Sequence, residues 1–161
     1  PLIVMGDQEV AFVGLENYRD LLTDSRFWDS VRHTFYFVAL TVVPNTLLGL
    51  VFALMVVRLK RLRSAVLAAF FLPNMLTVGV VTLIWQWLLN AQFGIVQDIF
   101  TLFTAEPVAV FRDPNWAMPS VAFITVWWTV GFNMLLFIAG LQGIGKDYYE
   151  AASLDGATGL Q

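Results

Sequence analysis

The sequence predicts an all-α membrane protein built as a multi-helix transmembrane bundle, and three observations carry that prediction. Hydrophobic residues make up 58% of the 161 and charged residues 13%, with a mean hydropathy of +0.72, outside the range of soluble globular domains. Three uncharged stretches, 35–57, 65–89 and 118–141, run 23 to 25 residues each. As helices they reach about 34 to 37 Å, more than the roughly 30 Å hydrocarbon core of a bilayer. The polar segments between them divide by charge sign, which is how loops on opposite faces of a membrane differ.

The same composition removes several function classes. A net charge of -3 without a basic tract leaves no electrostatic footprint for nucleic acid, so none is expected as a partner. With no cysteine there is neither a disulfide framework nor a thiolate, and the one histidine, His33, cannot hold a metal alone. Its position at the entrance of the first apolar stretch reads as an interfacial polar residue.

Taken in order, residues 1–34 carry six acids against three arginines, interleaved with apolar side chains, and read as an extracytoplasmic surface segment. Leu15, Tyr18 and Leu22 share a helical face, which allows either a short helix lying on the membrane or a plain loop, with Asp24 or Ser25 capping the next helix. The first span, 35–57, contains Pro44, where a kink is expected and the hydroxyl of Thr41 is available to the freed carbonyl. Gly49 and Ala53, four apart, allow another backbone to approach. Arg58, Lys60, Arg61 and Arg63 then place the next short loop on the cytoplasmic side. The second span, 65–89, is interrupted by Pro73 and ends at Trp85 and Trp87, which suit an outer headgroup belt. The outer loop, 90–117, holds Asp98, Glu106 and Asp113 against Arg112, and its apolar stretch from Ile95 to Phe103 reads as an interfacial helix. No histidine or repeated ligand spacing joins these carboxylates into a catalytic constellation, and the chain is not expected to be an enzyme. The third span, 118–141, runs inwards and delivers residues 146–161 to the cytoplasm.

That last segment reads Lys146-Asp147-Tyr148-Tyr149-Glu150-Ala151-Ala152-Ser153-Leu154-Asp155-Gly156-Ala157. Glu-Ala-Ala, two spacers and Asp-Gly-Ala resemble the EAA loop of binding-protein-dependent ABC importer permeases. Further stretches are similar to landmarks of the carbohydrate-uptake type: Phe12-Val13-Gly14-Leu15-Glu16-Asn17-Tyr18, Phe70-Phe71-Leu72-Pro73-Asn74, Trp85-Gln86-Trp87-Leu88, Phe93-Gly94 and Gly131-Phe132-Asn133-Met134. The resemblance covers nearly all of the chain from residue 12 onwards. It implies a type I importer permease core of about six helices, three of them present, and a chain that is part of a longer protein in a bacterial or archaeal cytoplasmic membrane. It also implies partners: an ATP-binding cassette subunit, a second permease subunit, an extracytoplasmic solute-binding protein and a sugar substrate. ATP and magnesium would be bound by the partner ATPase, with no cofactor in this chain. Glu150, Ala151, Ala152, Asp155 and Gly156 would form the ATPase-coupling loop. In one departure, Gly145 stands where the family often has proline.

Thr125, Trp128, Thr129, Phe132 and Asn133 fall on one stripe of the third span. Trp128 lies about 15 Å into that helix, near the middle of the bilayer and too deep for the headgroup belt. Hydroxyls, an amide and an aromatic face suit the hydroxyls and apolar ring face of a sugar. The alternative is that the threonines bond back to their own helix and the aromatics pack between helices. Positions in this part of the helix line the pathway in similar sugar permeases. The spans carry no charge, which disfavours an ion-coupled carrier.

Overall fold

The computed structural model describes residues 14–59, 61–96 and 110–157. The helices are α1 (Glu16–Thr23), α2 (Ser25–Val57), α3 (Arg63–Phe71), α4 (Val78–Leu88), α5 (Pro114–Gln142) and α6 (Lys146–Leu154), with a 3-10 turn, Leu72–Met75, between α3 and α4. The apolar stretch Ile95–Phe103, expected as an interfacial helix, lies beyond Val96 outside the described residues. The chain divides into two compact units, Pro1–Tyr36 and Phe37–Gln161.

In the first unit, Leu15, Tyr18 and Leu22 of the expected helical face lie in or beside α1 and are exposed. Asp24 ends this helix in an extended conformation and caps the next, its Oδ1 accepting the Arg26 N–H at 2.9 Å. Because that cap acts at Ser25, α2 starts ten residues before the uncharged run, and His33 sits within its polar first turns rather than at its entrance. The Trp28 indole donates to the Leu22 carbonyl at 2.8 Å and ties the two helices' facing ends together.

In the second unit, α2 continues through Pro44 as helix. Proline frees the carbonyl of Leu40, yet the Thr41 hydroxyl donates at 2.8 Å to Phe37, one turn earlier. Thr41 therefore does not serve the carbonyl expected of it. Gly49 and Ala53 are both buried, and a Cβ on Gly49 would stand 3.1 Å from Cβ of Asn133 on α5. This small-residue seam lets α2 and α5 close on one another, and Ala53 and Val56 pack there with Met134 and Ile138. Phe52 and Phe70 add a ring contact at 4.8 Å that draws α3 into the same core. Lipid tails are as apolar as these side chains, so close packing holds the seam more than exclusion of water.

The second apolar stretch is not one helix. Pro73 lacks an N–H, α3 ends at Phe71, and α4 restarts after extended Thr77 with its axis turned by 97°. Gly131 of α5 receives the break: a Cβ there would collide with the carbonyl of Phe70. At about 14 Å and 16 Å, neither α3 nor α4 spans a bilayer alone. Among the described residues α2 and α5 are long and apolar enough to cross, and the bent pair together makes a third crossing if it acts as one span. The α5 helix starts at Pro114, capped by Asp113, whose Oδ1 accepts the Asn115 N–H at 2.8 Å.

Candidate functional site

Two features expected to carry function sit on α5 and just beyond it. The first is α6. Asp147 lies in its first turn, where a carboxylate favours the positive end of the helix dipole. The helix stops because Gly156 takes φ +76, a conformation a residue with a Cβ rarely adopts. Around it the Gly156 N–H donates to Ser153 O at 3.2 Å and the Ala157 N–H to Ala152 O at 2.9 Å, the paired bonds of a Schellman stop. Asp155 is the last residue before the glycine turn. The motif spacing is thereby explained locally: Glu150, Ala151 and Ala152 lie on the helix, and Asp155-Gly156-Ala157 is its stop. No residue of α6 is buried, and Tyr148, Tyr149 and Leu154 are exposed beside Glu150, Leu154 at 88%. Glu150's side chain is free to project, while its carbonyl accepts the Ser153 hydroxyl at 2.7 Å.

The second feature is the stripe on α5. Its polar members bond first to their own helix: Thr125 Oγ1 donates to Val121 O at 2.8 Å, Thr129 Oγ1 to Thr125 O at 2.7 Å, and Asn133 Nδ2 to Thr129 O at 3.3 Å. Thr129 also accepts from Asn45 Nδ2 of α2 at 2.7 Å, a bond between helices that the sequence reading did not contain. Thr129 and Asn133 thus face α2, whereas Phe132 is 48% exposed and Trp128 is half-buried. The stripe therefore does not point as a block into one space. Its chemistry still suits a hydroxylated ligand, because the oxygen of Thr125 keeps lone pairs and Phe132 offers a ring face. Three buried polar atoms near it have no partner among the described residues: Asn45 Oδ1, Trp85 Nε1 and Trp128 Nε1. Trp85, one of the two tryptophans that suit a headgroup belt, packs edge-on against Trp127 at 5.4 Å and Phe123 at 5.7 Å, while Trp87 is exposed.

The family model for "Binding-protein-dependent transport system inner membrane component" matches residues 45–161, from Asn45 on α2 through the α6 loop. The chain belongs to that family. Among curated binding-protein-dependent permeases it is similar to the trehalose/maltose transport system permease protein MalF of Thermococcus litoralis, 36% identical over 93% of this chain and 51% of the relative. It also resembles the sulfoquinovosyl glycerol transport system permease protein SmoG of Agrobacterium fabrum, 31% identical over 91% of this chain and 47% of the relative. The chain thus spans about half the length of these inner-membrane relatives. Among solved structures, a chain of a bacterial ABC transporter involved in the import of the acidic polysaccharide alginate matches 91% of this chain with a TM-score of 0.78 at 22% identity, over 52% of its own length. That likeness shows the fold, and the described residues share its arrangement of helices. The same transporter is also known in complex with an alginate pentasaccharide-bound periplasmic protein.

Proposed function

We propose that the full-length protein is a permease subunit of an ATP-driven, binding-protein-dependent importer that moves a sugar across a bacterial or archaeal cytoplasmic membrane. The observation that carries this reading is the coincidence of the family match with α6, a fully exposed acidic and aromatic helix closed by a glycine stop just after a spanning helix. The saccharide class is supported by the names of the relatives, which transport trehalose/maltose and sulfoquinovosyl glycerol. In this reading a partner ATPase holds ATP and magnesium, α6 docks into it, and a second permease subunit completes the pathway. A periplasmic solute-binding protein delivers the sugar, a step supported by the alginate transporter's complex with a pentasaccharide-bound periplasmic protein. Thr125, Trp128, Thr129, Phe132 and Asn133 contribute to the pathway.

Glu150 then makes a charge-assisted contact with a basic group of the ATPase, Ala151 and Ala152 permit close approach, and Asp155-Gly156 fixes the turn. Loss of one such bond costs about 1.5 to 3 kcal/mol, roughly a ten- to hundredfold change in docking. Gly156→Pro imposes a φ near -65° on a residue at +76 and removes the N–H that closes the stop. In the assembled complex, Glu150→Ala and Gly156→Pro are expected to lower substrate-stimulated ATPase at least tenfold with membrane insertion intact. Unchanged stimulation in both removes the loop from the mechanism. Uptake of a glycerol phosphate, amino acid or peptide in place of any sugar makes the protein a permease for that solute, and assembly without stimulated ATPase makes it a scaffold.

A further inference from the structure

A recess of about 530 Å³ opens between the end of α4 and the segment that leads into α5. Its polar walls are Gln86, Asn90, Gln92 and Arg112, its aromatic wall is Phe111, and Leu89 and Val110, at 8% and 1% exposure, form its floor. None of these residues belongs to the stripe on α5, and Thr125 lies about 16 Å along that helix from Pro114.

The recess is built rather than incidental. Asn90 Oδ1 accepts the Gln92 N–H at 2.8 Å and Asn90 O accepts the Gly94 N–H at 2.9 Å, which folds 90–94 into one tight turn. Gly94 is required there, since a Cβ would stand 2.5 Å from Asn90 O and 2.6 Å from Asn90 N. Next to Gln86, the Trp85 ring is wedged against Phe123 and Trp127, pinning the end of α4 to α5. On the other side Asp113 caps α5 immediately after Arg112. The walls are therefore held before any ligand arrives, which reduces the ordering cost of binding.

Chemistry then selects the ligand. Gln86 and Gln92 each offer a planar donor and acceptor pair. Asn90 retains its two amide donors because its oxygen is committed to the turn, and Arg112 is a donor only. Among the described residues no acid lines the recess, and Phe111 presents a ring that is 41% exposed. Planar amides and a guanidinium around an exposed ring and an apolar floor match a ligand with many hydroxyls and an apolar ring face. The volume lies within the range of small-molecule sites. We propose that this recess is a saccharide-binding entry site, distinct from the stripe in the membrane, which holds the sugar between its release by the binding protein and its passage to that stripe. The proposal rests on the saccharide reading given above and on the outward placement of this end of α4.

The test uses the full-length permease assembled with its ATPase, second permease and binding protein in proteoliposomes, with radiolabelled maltose, trehalose and an alginate oligosaccharide as test sugars. Gln86, Gln92, Phe111 and Arg112 are exposed, so substitution there leaves the fold intact. Gln86→Leu with Arg112→Leu is expected to raise the concentration of loaded binding protein needed for half-maximal uptake at least tenfold, with basal ATPase unchanged. Phe111→Ala should do the same, and Phe111→Tyr, which keeps the ring, should restore uptake. If the unaltered complex takes up none of the sugars, the saccharide reading fails and the entry site with it. If it takes one up and the variants match it, the entry site alone is overturned. An equal loss of affinity for empty binding protein also overturns it, since the recess would then be a protein contact.

Discussion

Trp128 concentrates the question of what the α5 stripe does. Its indole N–H is buried without an acceptor among the described residues, in a helix long enough to cross a membrane. An unpaired donor in that setting carries a desolvation cost of about 1 to 3 kcal/mol. Trp128→Ala does not isolate this, because it also removes the packing of a half-buried ring, a loss that reaches about 3 to 5 kcal/mol for a tryptophan buried in full. Trp128→Phe does, since it keeps the ring and deletes the orphan donor. If the indole only packs, this variant should match or exceed wild-type thermal stability with full uptake. A pathway role predicts normal stability with uptake per assembled complex several-fold lower, and that is the outcome expected here. Equal uptake removes Trp128 from the site. The residues of the stripe were legible from helical spacing, but the Asn45 bond to Thr129 was not. Asn45 is one amide in an apolar run, and nothing local says which helix will face it. The packing of Trp85 was not legible for the same reason: its place near a helix end says nothing of the Phe123 and Trp127 that another helix supplies.

At the scale of elements, apolar runs located the helices and local chemistry set their ends. The uncharged run placed the first span from residue 35, but Asp24 begins α2 at Ser25, because a cap acts on backbone N–H groups whatever the hydropathy that follows. The bend after α3 was flagged by Pro73, yet its 97° size depends on Gly131 of α5 accepting the Phe70 carbonyl, a contact no window of sequence contains. The α6 helix was the most legible element, since its length and stop are both local. Its start offers a clean prediction. Gly145 has φ -61 and ψ 144, values proline accepts, and an added Cβ would come no nearer than 3.7 Å to the Tyr148 ring. Gly145→Pro should therefore leave α6 in place and stabilise it by about 0.4 to 1 kcal/mol through reduced freedom of the unfolded chain. Hydrogen exchange across Lys146–Leu154 should slow by roughly two- to fivefold, with coupled ATPase retained. Faster exchange would show that the helix entry needs a conformation proline denies it.

For the whole molecule, the bent pair decides the topology of the second unit. If α3, the 3-10 turn and α4 cross the bilayer once between them, the arginine-bearing connection before α3 and the α6 helix after α5 share a side, and the start of α5 lies opposite. If the pair turns back as a re-entrant segment, the start of α5 joins the arginine side and α6 emerges on the other. Two arguments favour the crossing. Arg58, Arg61 and Arg63 mark a cytoplasmic connection, and α6 must meet an ATPase on that same side for Glu150 to act as proposed. The segment before α5 agrees: residues 90–117 carry one cation, Arg112, where the six residues 58–63 carry four, and a re-entrant pair would put both segments on one side against the positive-inside bias. This chain has no cysteine, so once any cysteine elsewhere in the full-length permease is replaced, single thiols at Ser64, Asn115 and Lys146 read each face without background. An impermeant maleimide should label Asn115→Cys in intact cells, and label Ser64→Cys and Lys146→Cys only after permeabilisation. Labelling of Ser64→Cys and Asn115→Cys together, opposite to Lys146→Cys, would make the pair re-entrant and would separate the basic connection from α6 by the full width of the membrane.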